Sequence, residues 1–136
     1  MTDFARLMSD YFVKYLAGQK GSGSNTMKTY RDTFVQLLEF MDEKKHIRAD
    51  CIEVDSFSYD IINEFLEYLE KEKRVSISTR NNRLAAIRSF FKYTGYHEPK
   101  YLNISTSIRE ISKKKTEGRQ MNYLSVKAME HFLNSF

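Results

Sequence analysis

Apolar residues return every three or four positions through most of the chain, and strict apolar–polar alternation is scarce, so the pattern predicts helices rather than strands. In the stretch 76–94, SISTRNNRLAAIRSFFKYT, Leu84, Ile87, Phe91 and Thr94 share one side of a helix with Phe90 beside them. That side must face a core. Ser78 is placed to cap its first turn, where a hydroxyl accepts from an otherwise unpaired amide, and Gly95 is placed to stop it. The other elements are read around this helix. Phe4, Leu7, Met8, Tyr11, Phe12 and Tyr15 mark one face of a first helix, with Thr2 or Asp3 as its cap and Gly18 at its end. After an interhelical loop at 21–24, Asn25 or Ser24 opens a second helix to about Lys44, striped by Met27, Tyr30, Phe34, Leu37, Leu38 and Met41.

Residues 46–57 read as a connection of mixed charge. Ser58 then caps a third helix with Ile61, Ile62, Phe65, Leu66 and Leu69 turned inward and Asp60, Glu64, Glu67 and Glu70 outward. A turn at 71–75 leads into the 76–94 helix, and a loop with Pro99 follows it. Tyr101, Leu102, Ile104, Ile108 and Ile111 pattern a short fifth helix over about 100–111 that closes the bundle. The expected fold is all-α: a compact bundle of four to five helices over residues 1–111. Segment 112–120 holds no apolar residue and reads as an exposed linker, extended to 112–122. Beyond it Ser125 caps a stripe of Val126, Met129, Phe132 and Leu133, the first helix of a truncated second domain at 123–136 or a helix docking back on the bundle.

Charge changes the picture more by its distribution than by its sum. The net charge of +4 and pI of about 9.1 identify no partner. Yet Lys73, Arg74, Arg80, Arg83, Arg88 and Lys92 follow one another without an acid, whereas 32–60 is rich in Asp and Glu. On the side of the basic helix away from its apolar stripe lie Ser78, Asn81, Asn82, Ala85, Ser89 and Lys92. Such a small, polar side fits a major groove, though a solvated basic face has the same composition. The first turn of the second helix offers Asn25, Thr26, Lys28 and Thr29 together with free amides for a phosphate. Lys113, Lys114 and Lys115 would suit a strand tracking a phosphate backbone, and the acidic third helix should face away from it.

Candidate chemistry is absent from the expectation. Cys51 is the only cysteine and reads as a reduced, partly buried thiol, without disulfide or thiolate metal cluster. His46, His97 and His131 are scattered, and no nucleotide-binding, zinc-protease or nucleophile-elbow pattern occurs. No catalytic, cofactor or metal site is expected, so this chain alone is not read as an enzyme. The N-terminus lacks the layout of a signal peptide and no apolar run is long enough to cross a bilayer. The expected location is the cytoplasm, with no membrane and no small-molecule substrate as partner.

Asn25-Thr26 opening a helix with Tyr30 and Phe34, the run from Thr79 to Tyr93 (TRNNRLAAIRSFFKY), a lysine-bearing linker, and Tyr123-Leu124-Ser125 resemble, taken together, the tyrosine recombinase (phage integrase) family. The resemblance implies a SAM-like core-binding domain, joined by a linker to a catalytic domain, the two clamping a recombination half-site of double-stranded DNA. It implies DNA contacts from Thr26, Lys28 and Thr29 of the second helix and from Ser78, Thr79, Asn82 and Arg83 of the fourth. Asn25, Arg80, Lys92 and the three linker lysines join them on charge and polarity. The family's arginine, lysine, His-x-x-Arg and nucleophilic tyrosine have no counterpart in this chain, and Thr94-Gly95 is followed by Tyr96-His97 where the family has Thr-Gly-x-Arg. Lys127-Ala128 also departs from the acidic pair often found after the Leu-Ser start. Further recombinase subunits would join on DNA, from a monomer in solution. The competing expectation is a helical interaction module whose basic helix meets an acidic protein.

Overall fold

The computed structural model describes residues 2–19 and 23–115, which contain helices and turns and no strand. Helix α1, Asp3–Asp10, begins where the Thr2 hydroxyl accepts the Ala5 amide at 3.2 Å and continues as a wider π-helical stretch, Tyr11–Gln19. Widening brings residues five apart onto one side, and Tyr11 and Leu16 are both fully buried. Helix α2 spans Ser24–Lys45, α3 Tyr59–Lys71, α4 Ile77–His97 and α5 Leu102–Arg109. The Ser58 hydroxyl caps α3 by accepting from the Ile61 amide at 3.2 Å.

Helix α4 is the axis of the packing, touching α2, α3 and α5. Phe90 sits with ring centroids 5.6 Å from Phe4, 5.4 Å from Tyr11 and 5.4 Å from Phe34, so one side chain ties three segments together. Its neighbour Phe91 meets Phe57 at 5.7 Å. Leu84, Ile87, Phe90, Phe91 and Thr94 are all buried, as the stripe requires. Edge-on and tilted ring pairs of this kind add to the burial of area.

Several local expectations give way. Ser76, not Ser78, caps α4: its hydroxyl accepts the Thr79 amide at 3.0 Å, which starts the helix earlier and leaves Ser78 exposed on the first turn. Gly95 does not stop α4 but lies inside it, buried where a side chain would meet Ser105 of α5 at 2.6 Å. Its role is close approach between helices rather than termination. At the start of α2 the cap position belongs to Gly23 rather than to Asn25 or Ser24. Leu102 stays 51% exposed while Tyr101, Ile108 and Ile111 close the bundle. Cys51 is exposed because Ile52 and Val54 turn inward beside it. The connection between α2 and α3 is part of the core: 3₁₀ turns at Ala49–Cys51 and Val54–Ser56 bury Ile52, Val54 and Phe57.

The described residues stop within the linker expectation, at Lys115, and the helix expected around Ser125 lies outside them, as do residues 21 and 22 of the expected loop. No helix among the described residues is long and apolar enough to cross a membrane.

Candidate nucleic-acid interface

Two adjoining clefts run along the side of α4 left free by the core. The first, of about 310 Å³, is lined by Asn25, Thr26, Thr29 and Tyr30 of α2 and by Asn82 and Ala85 of α4. Residues more than fifty positions apart in sequence therefore share one surface. The register between the two helices is fixed by Arg83, whose Nη1 donates to the Thr29 carbonyl at 3.1 Å and to the Thr33 hydroxyl at 3.3 Å. Thr33 is buried and its hydroxyl donates to the same Thr29 carbonyl at 2.9 Å. Arg83 is thus half-buried and partly spent on holding α2 against α4, which its sequence pattern does not reveal.

The second cleft, of about 420 Å³, shares Tyr30 and Ala85 with the first and adds Tyr15, Arg88, Ser89, Lys92, Arg109 and Lys113. Tyr11 supports its floor, its hydroxyl 2.6 Å from the Ser89 hydroxyl, and burial pushes the Tyr11 phenol well above its ordinary range, so it stays neutral. Lys28 and Lys92 are exposed, as are Lys113 and Lys115. None of the acids of α3 lines either cleft. Instead Lys45 meets Glu64 at 2.9 Å and Lys44 meets Glu72 at 3.1 Å, pairing α2 with α3 at the surface.

Arg80 departs furthest from its expected place. It is 5% exposed, with Nε 3.8 Å from the Glu70 carboxylate and Nη1 donating to the Asn81 side-chain oxygen at 3.0 Å and the Ser112 carbonyl at 3.3 Å. Burial lowers its pKa, with Glu70 working in the opposite direction. A guanidinium enclosed in this way is not presented to a ligand. Charge is visible in a sequence, but the chain that returns to cover it is not. Asn81, on the expected polar side, is buried by the same returning segment: its Oδ1 accepts the Lys114 amide at 3.1 Å and its Nδ2 donates to the Lys114 carbonyl at 2.9 Å. The Lys114 ammonium is held by Glu70 at 2.9 Å and, among the described residues, is the one linker lysine in an ion pair. Thr79 is half-buried, its hydroxyl accepting from Ser76 at 3.1 Å.

Ala85 and Ser89 lie on the side of the basic helix that the sequence pattern marks as groove-facing, whereas Tyr30, Arg88 and Arg109 were not expected as lining residues. Arg88 and Lys92 are four apart on one helix and were within reach of a periodicity argument. Arg109 comes from another helix and gave no such signal. Among the described residues no group of His, Cys, Asp and Glu is arranged to hold a metal ion.

The family described as "Phage integrase, N-terminal SAM-like domain" matches residues 10–100 of the 136, which covers α2 to α4 whole. The chain belongs to the phage integrase, or tyrosine recombinase, family. Among similar proteins, "Putative integrase/recombinase y4rC" of Sinorhizobium fredii is 30% identical over 121 residues, 89% of this chain and 36% of that protein. "Tyrosine recombinase XerC" of Natranaerobius thermophilus is 28% identical over 124 residues, 91% of this chain and 39% of the relative. The chain therefore spans under half the length of these two integrase relatives. No solved structure gives a significant match.

Proposed function

We propose that this integrase domain binds duplex DNA through the side of α4 where it meets the first turn of α2, and so places a recombinase on one recombination half-site. The observation that carries the reading is the first cleft: Asn25, Thr26 and Thr29 of α2 lie beside Asn82 of α4, so donors and acceptors from two helices converge on one polar surface. Amide side chains pair with adenine edges in a major groove, and Lys28 and the exposed lysines alongside supply phosphate contacts. Arg83 serves this surface by fixing α2 to α4, and contributes to DNA through whatever part of its guanidinium the bundle leaves exposed. Arg80 is withdrawn from the contact set. Residues 112–122 then act as the connection to a catalytic domain that begins near 123, and strand cleavage through a phosphotyrosyl link belongs to the longer parent chain.

The test is fluorescence anisotropy with duplex from the flanks of the gene's own element against scrambled duplex, at two salt concentrations. Preference for the flank, weakening as salt rises and reduced by Asn82→Ala, is the expected result. Each lost base contact costs about 1 to 3 kcal/mol of discrimination. Equal binding of flank and scrambled duplex, unaltered by Asn82→Ala, would remove the groove reading. Binding of an acidic protein with no binding of either duplex would replace it by a protein-interaction role.

A further inference from the structure

We propose that the second cleft is a phosphate site, built from α4, α5 and the segment after α5, which takes a phosphodiester of the DNA backbone beside the groove contacts. The proposal rests on the DNA-binding reading above. Four cations, Arg88, Lys92, Arg109 and Lys113, line one cleft with the hydroxyl-bearing Tyr15, Tyr30 and Ser89. Among the described residues none of the four has a carboxylate within ion-pair distance, although ten such pairs form elsewhere. Arg109 Nε is buried without a hydrogen-bond partner in the bundle. Like charges converging without an internal counter-ion repel one another, and an anion seated among them would remove that cost. Guanidinium groups favour phosphate oxygens because their N–H fork matches the spacing.

The latch at Arg80 and Asn81 gives the cleft its fourth cation. Arg80 holds the Ser112 carbonyl, and Asn81 holds both the amide and the carbonyl of Lys114, so the backbone is fixed on each side of Lys113. A lysine in a segment without apolar residues would otherwise sample many positions. Pinned at both neighbours, Lys113 is delivered to the same cleft as Lys92. Arg80 and Asn81 are therefore positioning residues for phosphate binding, which is why two polar side chains of a groove-side helix are turned to their own backbone. Because the first and second clefts share Tyr30 and Ala85, a duplex in the first brings a backbone phosphate to the second.

The experiment measures duplex affinity as a function of salt for the full chain and for Arg88→Gln/Arg109→Gln, Lys113→Gln, Asn81→Ala and Asn81→Ala/Lys113→Gln. In parallel, amide NMR signals are followed while inorganic phosphate is added. The double arginine variant should weaken flank and scrambled duplex alike and make the slope of log K against log salt shallower by about 1. Lys113→Gln should weaken binding in the parent but add little in the Asn81→Ala background, a non-additivity that a merely structural Asn81 would not produce. Phosphate should shift the signals of Arg88, Lys92, Arg109 and Lys113. If duplex binds with its Asn82-dependent preference while Arg88→Gln/Arg109→Gln leaves affinity and slope unchanged, the phosphate site is overturned and the groove reading stands. If phosphate shifts these signals but duplex does not bind, the DNA source is overturned together with the reading it rests on, leaving a site for free phosphate. Neither response overturns both.

Discussion

Gly95 shows how one residue acquires a different task from the one its type suggests. A glycine after an apolar stripe reads as a helix stop, yet here α4 passes through it, and the Ser105 side chain of α5 occupies the room that a side chain at 95 would need. Gly95→Ala would set its new carbon 2.6 Å from both the Cβ and the Oγ of Ser105, closer than packed atoms allow. The expected result is a loss of about 1 to 3 kcal/mol in chemical denaturation, the cost of overpacking outweighing the better helix propensity of alanine. Gly95→Ala with Ser105→Gly should recover part of it. A single variant that is as stable as the parent would mean that α5 moves away freely.

At the scale of elements, α4 does two kinds of work on opposite sides. Its inward side holds the core, and Leu84, fully buried, represents that side. Leu84→Ala should cost about 2 to 5 kcal/mol of folding stability by leaving a cavity. Arg83, the residue before it, fastens α2 through the Thr29 carbonyl and the Thr33 hydroxyl. Arg83→Ala should lower stability by about 1 to 2 kcal/mol, since a charged donor is lost from partly buried acceptors, and should also disturb the placing of Asn25, Thr26 and Thr29. Amide exchange in the first turn of α2 measures the second effect: faster exchange there, with α3 unchanged, is expected. If exchange is unchanged while duplex affinity falls, Arg83 acts on DNA directly and not through α2.

Across the whole molecule, the start of α1 is fastened to the start of α5. Asp3 Oδ2 accepts from the Tyr101 hydroxyl at 2.9 Å and lies 3.1 Å from the Lys100 ammonium, while Arg6 meets Glu98 at 2.8 Å. The Lys100 and Tyr101 hydrogen bonds hold the Asp3 carboxyl below its ordinary pKa, by stabilising the charged form. A pKa depressed on folding means that the contribution is complete above the unfolded value, about 4, and is lost as pH falls through the folded one. Melting temperatures of the parent and of Asp3→Asn should therefore differ from neutral pH down to about pH 5 and converge below about pH 4. The effect is small because the carboxylate is solvent-screened. A gap independent of pH would mean that the Asp3 charge is not its source.

The sequence by itself determined the helices, their inward sides and the family, because helical periodicity is local and the side chains that repeat at that period must be buried somewhere. It also marked Asn25, Thr26, Thr29 and Asn82, which the fold brings to one cleft. Only the tertiary structure decided which polar side chains remained available. Arg80 looked like a contact, and Asn81 like part of the groove-facing side, until the segment after α5 came back over them, and nothing in the sequence pattern set Arg109 beside Arg88 and Lys92. The core residues of the connection, Ile52, Val54 and Phe57, were illegible for the same reason. Their burial depends on contacts between segments far apart in the chain, and no periodicity within a segment records them.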